Sequence, residues 1–369
     1  MKAAVMYAPG QDMVIEDVTI DAPKHGEVLV RVTAAGVCHS DLSTWQGKGG
    51  VVLPCILGHE AAGVVEKVGP GVDRVKPGES VVLSWAPSCG RCFYCRAGLP
   101  TQCEVYGRAA SAGVMWDGTS RLHLAGGRTC HHFTTQSSFA EYCVMPESGV
   151  VPIPASIPPG IAALVGCAVT TGFGAAVNDC KVKPGDAVAI WGLGGVGLSA
   201  LMGAKLAGAE TLIVVDPNPR KGEVGTRFGA THHLNPKEVQ DIPDAIRQLT
   251  RGRGADAALE CIGKSAAFEQ AVLSIRGGGV VALVGQAPKG ENFTLPLARA
   301  IMGQQKRIIG SHYGGGIPEQ DFVRILGLYE SGRLPLDALI GRTLALDEIN
   351  DAFHKLEAGF DTRQVIRFN

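Results

Sequence analysis

The chain has almost no charge of one sign: 34 Lys and Arg stand against 35 Asp and Glu, a formal net charge of −1. That balance supplies no global field to draw nucleic acid or an anionic membrane, so neither is expected as a partner. Long apolar runs are scarce as well, and no segment is read as reaching the roughly 20 apolar residues of a membrane span. The first apolar stretch ends by Ala8 and is followed by Asp12, Glu16 and Asp17, too short and too acidic for a secretory signal. Repeats and low-complexity tracts are missing too. The expectation from these absences is a cytoplasmic protein.

Glycine and cysteine are plentiful. The 50 glycines among 369 residues are about twice the usual share of roughly 7%. They are scattered through apolar segments, which points to tight turns and close backbone approaches, not to a linker. The 11 cysteines are an odd number, which argues against a fully paired disulfide framework. Cysteines in tight clusters in a long chain fit a metal protein of a reducing compartment. With 46% apolar and 19% charged residues the composition is globular, and the length suggests two domains.

Residues 1–150 read as β-rich. Short strand-like runs recur at Val14–Ile15, Val28–Val32, Gly63–Val68, Ser80–Leu83 and Phe139–Met145, punctuated by Gly and Pro. Residues 104–138 are polar and Gly-rich with little periodicity, and read as a long excursion at a subunit contact or cleft edge. Pro152, Pro154, Pro158 and Pro159 mark a change of regime. From about 169 strands and helices alternate: Asp186–Trp191, a helix over Leu198–Ala209, then Thr211–Val215, Ala255–Glu260, Gly279–Val284 and Lys306–Gly310. That alternation predicts a parallel sheet with crossover helices. Two amphipathic helices follow. Phe322, Ile325, Leu326 and Tyr329 mark the first, with Gly332 as its C′ residue. Ile349, Phe353 and Leu356 mark the second, with Asp347 as its N-cap and Gly359 as its stop.

Cys89, Cys92, Cys95 and Cys103 form C-x2-C-x2-C-x7-C. Four thiolates on one short loop can close a tetrahedron around zinc, which leaves no open position, so this site is expected to be structural. Iron–sulfur clusters use other spacings. Cys38 lies in Cys38-His39-Ser40-Asp41 and His59 in Gly58-His59-Glu60. Each alone is more often an ordinary core thiol or a hydrogen-bonded imidazole. Together they offer two ligands, and Cys167, where two domains should meet, is a possible third. Three protein ligands and one exchangeable position is the arrangement of catalytic zinc. Asp186–Trp191 runs into Gly192-Leu193-Gly194-Gly195-Val196-Gly197 and then a helix, the strand–loop–helix context that a dinucleotide fingerprint requires. Asp216 ends the next strand, where a carboxylate takes bonds from the adenosine ribose and repels a 2′-phosphate, favouring NAD over NADP.

In this order the motifs resemble those of the zinc-containing alcohol dehydrogenases of the medium-chain dehydrogenase/reductase family, and the resemblance runs from about Lys2 to Asn369. It implies an α/β protein: a GroES-like β-rich catalytic domain over residues 1–168, with a structural-zinc lobe at 85–110, a doubly wound Rossmann domain over 169–308, and a return to the catalytic domain over 309–369. It implies two Zn2+ per chain and NAD as cofactors. Cys38, His59 and Cys167 resemble the catalytic zinc ligands, and Glu60 the nearby acid that can approach the metal. Asp41 is similar to the acceptor that orients the metal-bound imidazole, and Ser40 to the hydroxyl that takes the substrate proton. Thr171 and Val196 resemble nicotinamide contacts, Asp216 and Lys221 ribose contacts, and His39 and Arg363 phosphate contacts. Trp85 stands where family members place a substrate-pocket side chain.

The implied reaction is oxidation of a primary alcohol, apolar, allylic or aromatic, to an aldehyde with hydride transfer to NAD. The alternatives are an S-(hydroxymethyl)thiol dehydrogenase acting on a formaldehyde adduct, an unsaturated-aldehyde reductase, and a non-catalytic NAD- or zinc-binding protein. One departure stands out. The family's proton relay often ends in a His three positions after the serine, and here that residue is Ser43. His131 and His132 are read as structural loop residues. Cys55, Cys130, Cys143, Cys180 and Cys261 are read as core or surface thiols. The resemblance also implies a homodimer or homotetramer joined through the Rossmann sheet, with Gly279–Val284 and the region near Leu295 as the expected joining edge.

Overall fold

The computed structural model describes residues 1–359 and 363–368. They form two compact units, Met1–Cys167 with Ile317–Asn369, and Ala168–Gly316. The expected divisions were 168/169 and 308/309. The strand Arg307–Gly310 and the turn Tyr313–Gly315 fall in the second unit.

The first unit is built on Glu27–Val37, whose buried and half-buried residues alternate from Val28 to Thr33. Val28, Val30 and Val32 turn to the core while Leu29, Arg31 and Thr33 turn outward, the period of two that a sheet demands. One edge of this strand pairs with Ala61–Val68. The other pairs first with Tyr142–Pro146 and then with Arg363–Arg367, which comes from the far end of the chain. A second, six-stranded sheet includes Lys2–Met6 and the two-residue strand Cys55–Ile56.

The excursion at 104–138 folds into this unit. It contains the helix Glu104–Ala112, ended by left-handed Gly113, and the strands Leu122–His123 and Thr129–His132. Arg121 is fully buried there, with Nε donating to Glu27 at 2.9 Å and one terminal nitrogen to Asp117 at 3.0 Å. The helix Ile349–Glu357 ends at Gly359 as expected, but its start is corrected. Asp347 lies inside a 3-10 turn, Leu346–Glu348, and the Glu348 carboxylate accepts the Ala345 N–H instead.

The second unit holds a six-stranded parallel sheet. In spatial order its strands are His232–Leu234, Thr211–Val215, Ala187–Trp191, Ala255–Glu260, Ile275–Leu283 and Arg307–Gly310. This is the doubly wound order, and its central strands are near-continuous apolar runs because both faces are covered. Gly279–Val284 is therefore corrected as a joining edge. Residues 279–283 sit in an interior strand, paired on both sides, and the open edges are His232–Leu234 and Arg307–Gly310.

Residues 159–179 correct the scarcity of long apolar runs. Pro159–Asp179 is a 21-residue helical stretch, long and apolar enough by composition to cross a membrane, and 89% of its most apolar window is buried inside the protein. Its burial accounts for its composition. Two π-helical turns, Val165–Val169 and Ala175–Asp179, interrupt it.

Candidate metal centres and nucleotide cradle

Three separate stretches bring Cys38, His59 and Cys167 together. Cys38 caps the helix His39–Trp45, His59 follows the strand Cys55–Ile56, and Cys167 lies in the π-helical turn. Their ligand atoms all lie within 4.8 Å of one another, and all three residues are buried. Gly58 is required beside His59: its φ is +94° and a Cβ would stand 2.6 Å from the Phe139 nitrogen. Gly166 is required beside Cys167, because a Cβ there would stand 2.9 Å from the Leu83 oxygen.

Asp41 ties this set together from the first turn of its helix, with no exposed surface. Its Oδ1 accepts the Gly58 N–H at 3.0 Å and lies 3.0 Å from Nδ1 of His59. A carboxylate on Nδ1 fixes the tautomer and leaves Nε2 free to ligate. Burial alone would lower the His59 pKa, but Asp41 and Cys38 outweigh it and raise the value well above the usual. The hydrogen bond with Cys167 holds the Cys38 thiol well below the usual thiol range, while Cys167 is pushed well above it. Two thiols sharing one proton beside an imidazole fit a soft-to-borderline divalent cation, and zinc is the natural occupant of two sulfurs and one nitrogen.

Glu60 does not converge on these atoms. Its carboxylate pairs with Arg363, and the bare Cα of Gly36 makes room for it, since a Cβ there would lie 2.7 Å from its Cδ. Burial raises the Glu60 pKa to about 7 against the pull of Arg363. Arg363, expected at the cofactor phosphate, is itself buried on this ion pair. Ser40 is half-buried and His39 exposed, on the same short helix.

Cys89, Cys92, Cys95 and Cys103 form the second cluster, again with all ligand atoms within 4.8 Å. Cys92 and Cys95 sulfurs are 3.5 Å apart, and Gly90 and Gly98 take positive φ so that the loop can curl around them. Backbone N–H groups of Cys95 and Glu104 point at the Cys92 sulfur and lower its pKa to about 6. That is the stabilisation a thiolate ligand needs.

In the second unit, Gly192 has φ +85° and Gly194 is the N-cap of the helix Gly195–Leu206. No atom lies within 4 Å of a Cβ built on Gly194, whereas one on Gly197 would overlap the Gly192 carbonyl. One glycine leaves an open cradle at a helix N-terminus, suited to a diphosphate, and the other permits close packing. Asp216 is 4% exposed at the end of the second strand, and its Oδ2 accepts the Leu193 N–H at 2.8 Å with Lys221 Nζ at 3.9 Å. Thr171 lies on the helix Thr170–Gly174, and this helix passes so close to the glycine-rich loop that a Cβ on Gly172 would overlap the Val196 carbonyl.

The alcohol dehydrogenase GroES-like domain family matches residues 24–155, and the zinc-binding dehydrogenase family matches residues 195–331. An S-(hydroxymethyl)glutathione dehydrogenase of Paracoccus denitrificans is 36% identical over 374 residues, spanning 100% of this chain and 99% of its own length. One of Escherichia coli O1:K1 is 38% identical over 370 residues, with the same coverage. The crystal structure of benzyl alcohol dehydrogenase from Acinetobacter calcoaceticus superposes with a TM-score of 0.94 at 34% identity, covering 100% of this chain and 99% of that one. The chain belongs to the zinc-containing alcohol dehydrogenases of the medium-chain dehydrogenase/reductase family.

This alcohol dehydrogenase is accordingly an NAD-dependent oxidoreductase that uses zinc. It also has features around the metal ligands that its sequence does not announce. The Phe133 ring meets His59 edge-on at 5.7 Å, Trp85 meets it at 6.4 Å, and Tyr106 lies 6.4 Å from Trp85. Phe133 and Tyr106 belong to no motif. Phe133 opens the run Phe133–Ser138, in which Thr134, Thr135 and Ser137 all take positive φ. Non-glycine residues in that region are strained and cluster at working sites. In the dehydrogenase's nucleotide unit, buried Glu260 was also unforeseen: its carboxylate accepts the Ile262 and Gly263 N–H groups at 2.8 and 2.9 Å, fixing the loop after the fourth strand.

Proposed function

We propose that this dehydrogenase oxidises an aromatic or allylic primary alcohol to its aldehyde, reversibly, with NAD as hydride acceptor. The observation that carries the reading is the cluster of rings at His59: Phe133 and Trp85 against the imidazole and Tyr106 behind Trp85. Rings recognise a flat apolar substrate by stacking and edge contacts. The benzyl alcohol dehydrogenase likeness points the same way.

Cys38, His59 and Cys167 hold the catalytic zinc in this reading, and Cys89, Cys92, Cys95 and Cys103 the structural one. Bound zinc acts as a Lewis acid that makes an alcohol easier to deprotonate, and NAD supplies the redox chemistry. Ser40 accepts the alcohol proton. Ser43 does not titrate near neutrality, so Ser40 passes the proton on to water or the cofactor ribose hydroxyl and not to an imidazole at that position. Asp41 holds the His59 ring in place, and Glu60, paired with Arg363, is the nearby carboxylate that would be available to the metal if it left that ion pair. Gly192, Gly194, Gly195 and Gly197 admit the diphosphate. Val196 and Thr171 border the nicotinamide, Asp216 and Lys221 take the ribose, and His39 and Arg363 serve the phosphates. Trp85 is a pocket wall. Met1–Cys167 with Ile317–Asn369 make the catalytic domain and Ala168–Gly316 the Rossmann domain. A homodimer or homotetramer forms through the open edge Arg307–Gly310. None of the eleven cysteines is in a disulfide, which suits the cytoplasm.

The full-length identity with S-(hydroxymethyl)glutathione dehydrogenases supports a second reading, oxidation of a formaldehyde–thiol adduct. NADH formation by the zinc-loaded protein with benzylic, allylic and short aliphatic alcohols, and with the formaldehyde–glutathione adduct, separates the two. Benzylic alcohols should exceed ethanol in kcat/KM by about a hundredfold, the scale of apolar-pocket discrimination. Turnover of the adduct with none of the benzylic alcohols overturns the first reading in favour of the second.

A further inference from the structure

Asp216 directly follows the strand Thr211–Val215, which pairs with the short edge strand His232–Leu234. In a parallel ladder a bonding residue gives its N–H to one partner residue and takes an N–H from the residue two further on. Asp216 keeps the first half of this pattern, its N–H reaching the Leu234 carbonyl at 3.3 Å. The donor for its own carbonyl should come from residue 236. That residue is Pro236, which has no N–H. A ladder carbonyl without its donor carries the cost of an unmade hydrogen bond.

His233 makes up the deficit. Its Nε2 lies 2.8 Å from the Asp216 carbonyl oxygen. A carbonyl only accepts, so Nε2 carries the hydrogen. The other side of the ring is fixed by Gly222, in the helix Pro219–Phe228: a Cβ there would stand 2.6 Å from Cγ and from Cε1. The imidazole therefore lies against bare backbone, one residue after Lys221. Asp216 is meanwhile engaged at its side chain, with Oδ1 accepting the Asn218 N–H at 2.9 Å and Oδ2 the Leu193 N–H at 2.8 Å. Side chain and backbone of Asp216 are thus held from different directions, and only the His233 bond ties its carbonyl to the edge strand.

We propose that His233 is a positioning residue for cofactor selection: it replaces the donor that Pro236 lacks and so fixes Asp216 where its carboxylate meets the adenosine ribose and repels a 2′-phosphate. The inference rests on the reading of Asp216 as the ribose contact.

The test uses the full-length zinc-loaded enzyme, with dissociation constants for NADH and NADPH from fluorescence titration, KM for NAD, kcat and thermal melts. Asp216→Ala serves as the reference and should collapse the preference for NADH. His233→Ala should narrow the NADH-over-NADPH preference about fivefold, the equivalent of one hydrogen bond, and the change should fall on KM for NAD and not on kcat. His233→Gln, whose amide nitrogen reaches the same position, should recover most of the preference. Gly222→Ala, which drives a methyl into the imidazole, should reproduce the loss and serves even where His233→Ala does not fold. A preference that moves in Asp216→Ala but in neither His233→Ala nor Gly222→Ala overturns the role of His233 alone. A preference unmoved in Asp216→Ala overturns the ribose reading beneath it. A lower melting temperature with parallel weakening of both cofactors makes His233 a packing residue and overturns the proposal.

Discussion

The two metal centres of the first unit are built on opposite plans. Cys89, Cys92, Cys95 and Cys103 sit on one loop, three of them half-buried, with backbone N–H groups supplied by the same loop. Cys38, His59 and Cys167 come from a helix cap, the link between two strands and a π-helical turn, are all buried, and are held by a carboxylate that belongs to none of those three residues. A local site carries its geometry in its own loop, whereas a distributed site borrows its geometry from the scaffold. Damage to the first should stay local. Damage to the second should reach the chemistry.

The largest test of that contrast is Cys167→Ala. It should lower turnover on the order of a thousandfold, since several kcal/mol of charge stabilisation go with the metal. Metal analysis should show one zinc lost per chain and NAD binding kept, and wild-type-like turnover would remove Cys167 from the site. Cys92→Ser should also cost one zinc, but its effect on turnover should be far smaller, and limited proteolysis should open only the 85–110 lobe. Equal collapse of activity in both variants would erase the contrast. Asp41→Asn probes the borrowed geometry itself. Replacing the carboxylate at Nδ1 by a neutral amide should weaken zinc at the buried site by about 10- to 100-fold, read by competition with a chelator, and leave the four-cysteine site unchanged.

The smallest effect separates protons that compete for metal ligands from protons taken up elsewhere. His132 is buried, its Nε2 accepts the Arg121 N–H at 3.1 Å, and burial with the Arg121 charge lowers its pKa to about 3. The unfolded chain, with an ordinary imidazole, binds the proton first as pH falls. Stability from neutral His132 is therefore intact above about 6.5 and is lost between there and about 3. Urea melts at pH 7 and pH 5 should show His132→Gln sparing about 2 kcal/mol of the acid loss at pH 5. Equal acid losses in variant and wild type would assign the whole effect to other groups, the metal ligands among them.

What could be read from the sequence follows the same division. Ser80–Leu83, Thr211–Val215 and Ala255–Glu260 coincide with strands end for end, because turn residues bound each apolar run. Gly332 and Gly359 do stop their helices in the left-handed region, at φ 71° and 73°. The four-cysteine lobe was legible from spacing alone. The distributed site was less so: no fixed spacing joins residues 38, 59 and 167, so the residues alone offered the set as one option and the resemblance made it an expectation. Arg363–Arg367 went unseen because long-range pairing makes it a strand, and Lys2–Met6 because its partners, Val14–Asp17 and Cys55–Ile56, lie outside its own run. Residues 159–179 did carry a missed signal, since Pro159 at the first turn of a helix is a start and not a break. His233 was invisible for a subtler reason, as its role exists only because a proline two residues past the edge strand leaves a ladder carbonyl unserved.

Arg363–Arg367 also bears on how the protein is made. This strand lies inside the seven-stranded sheet, between Glu27–Val37 and Ile340–Leu344, and brings Arg363 to Glu60. Every cysteine and histidine of the metal clusters leaves the ribosome at least roughly two hundred residues earlier, which at about 5–20 residues per second is a delay of no less than some 10–40 seconds. Through that interval the nascent sheet has an open slot and Glu60 lacks Arg363, and the contiguous unit Ala168–Gly316 is completed before the slot is filled. The catalytic half of the enzyme is therefore the last to mature although its ligands are translated first. Stalled or C-terminally truncated chains should expose thiols that the finished protein keeps covered.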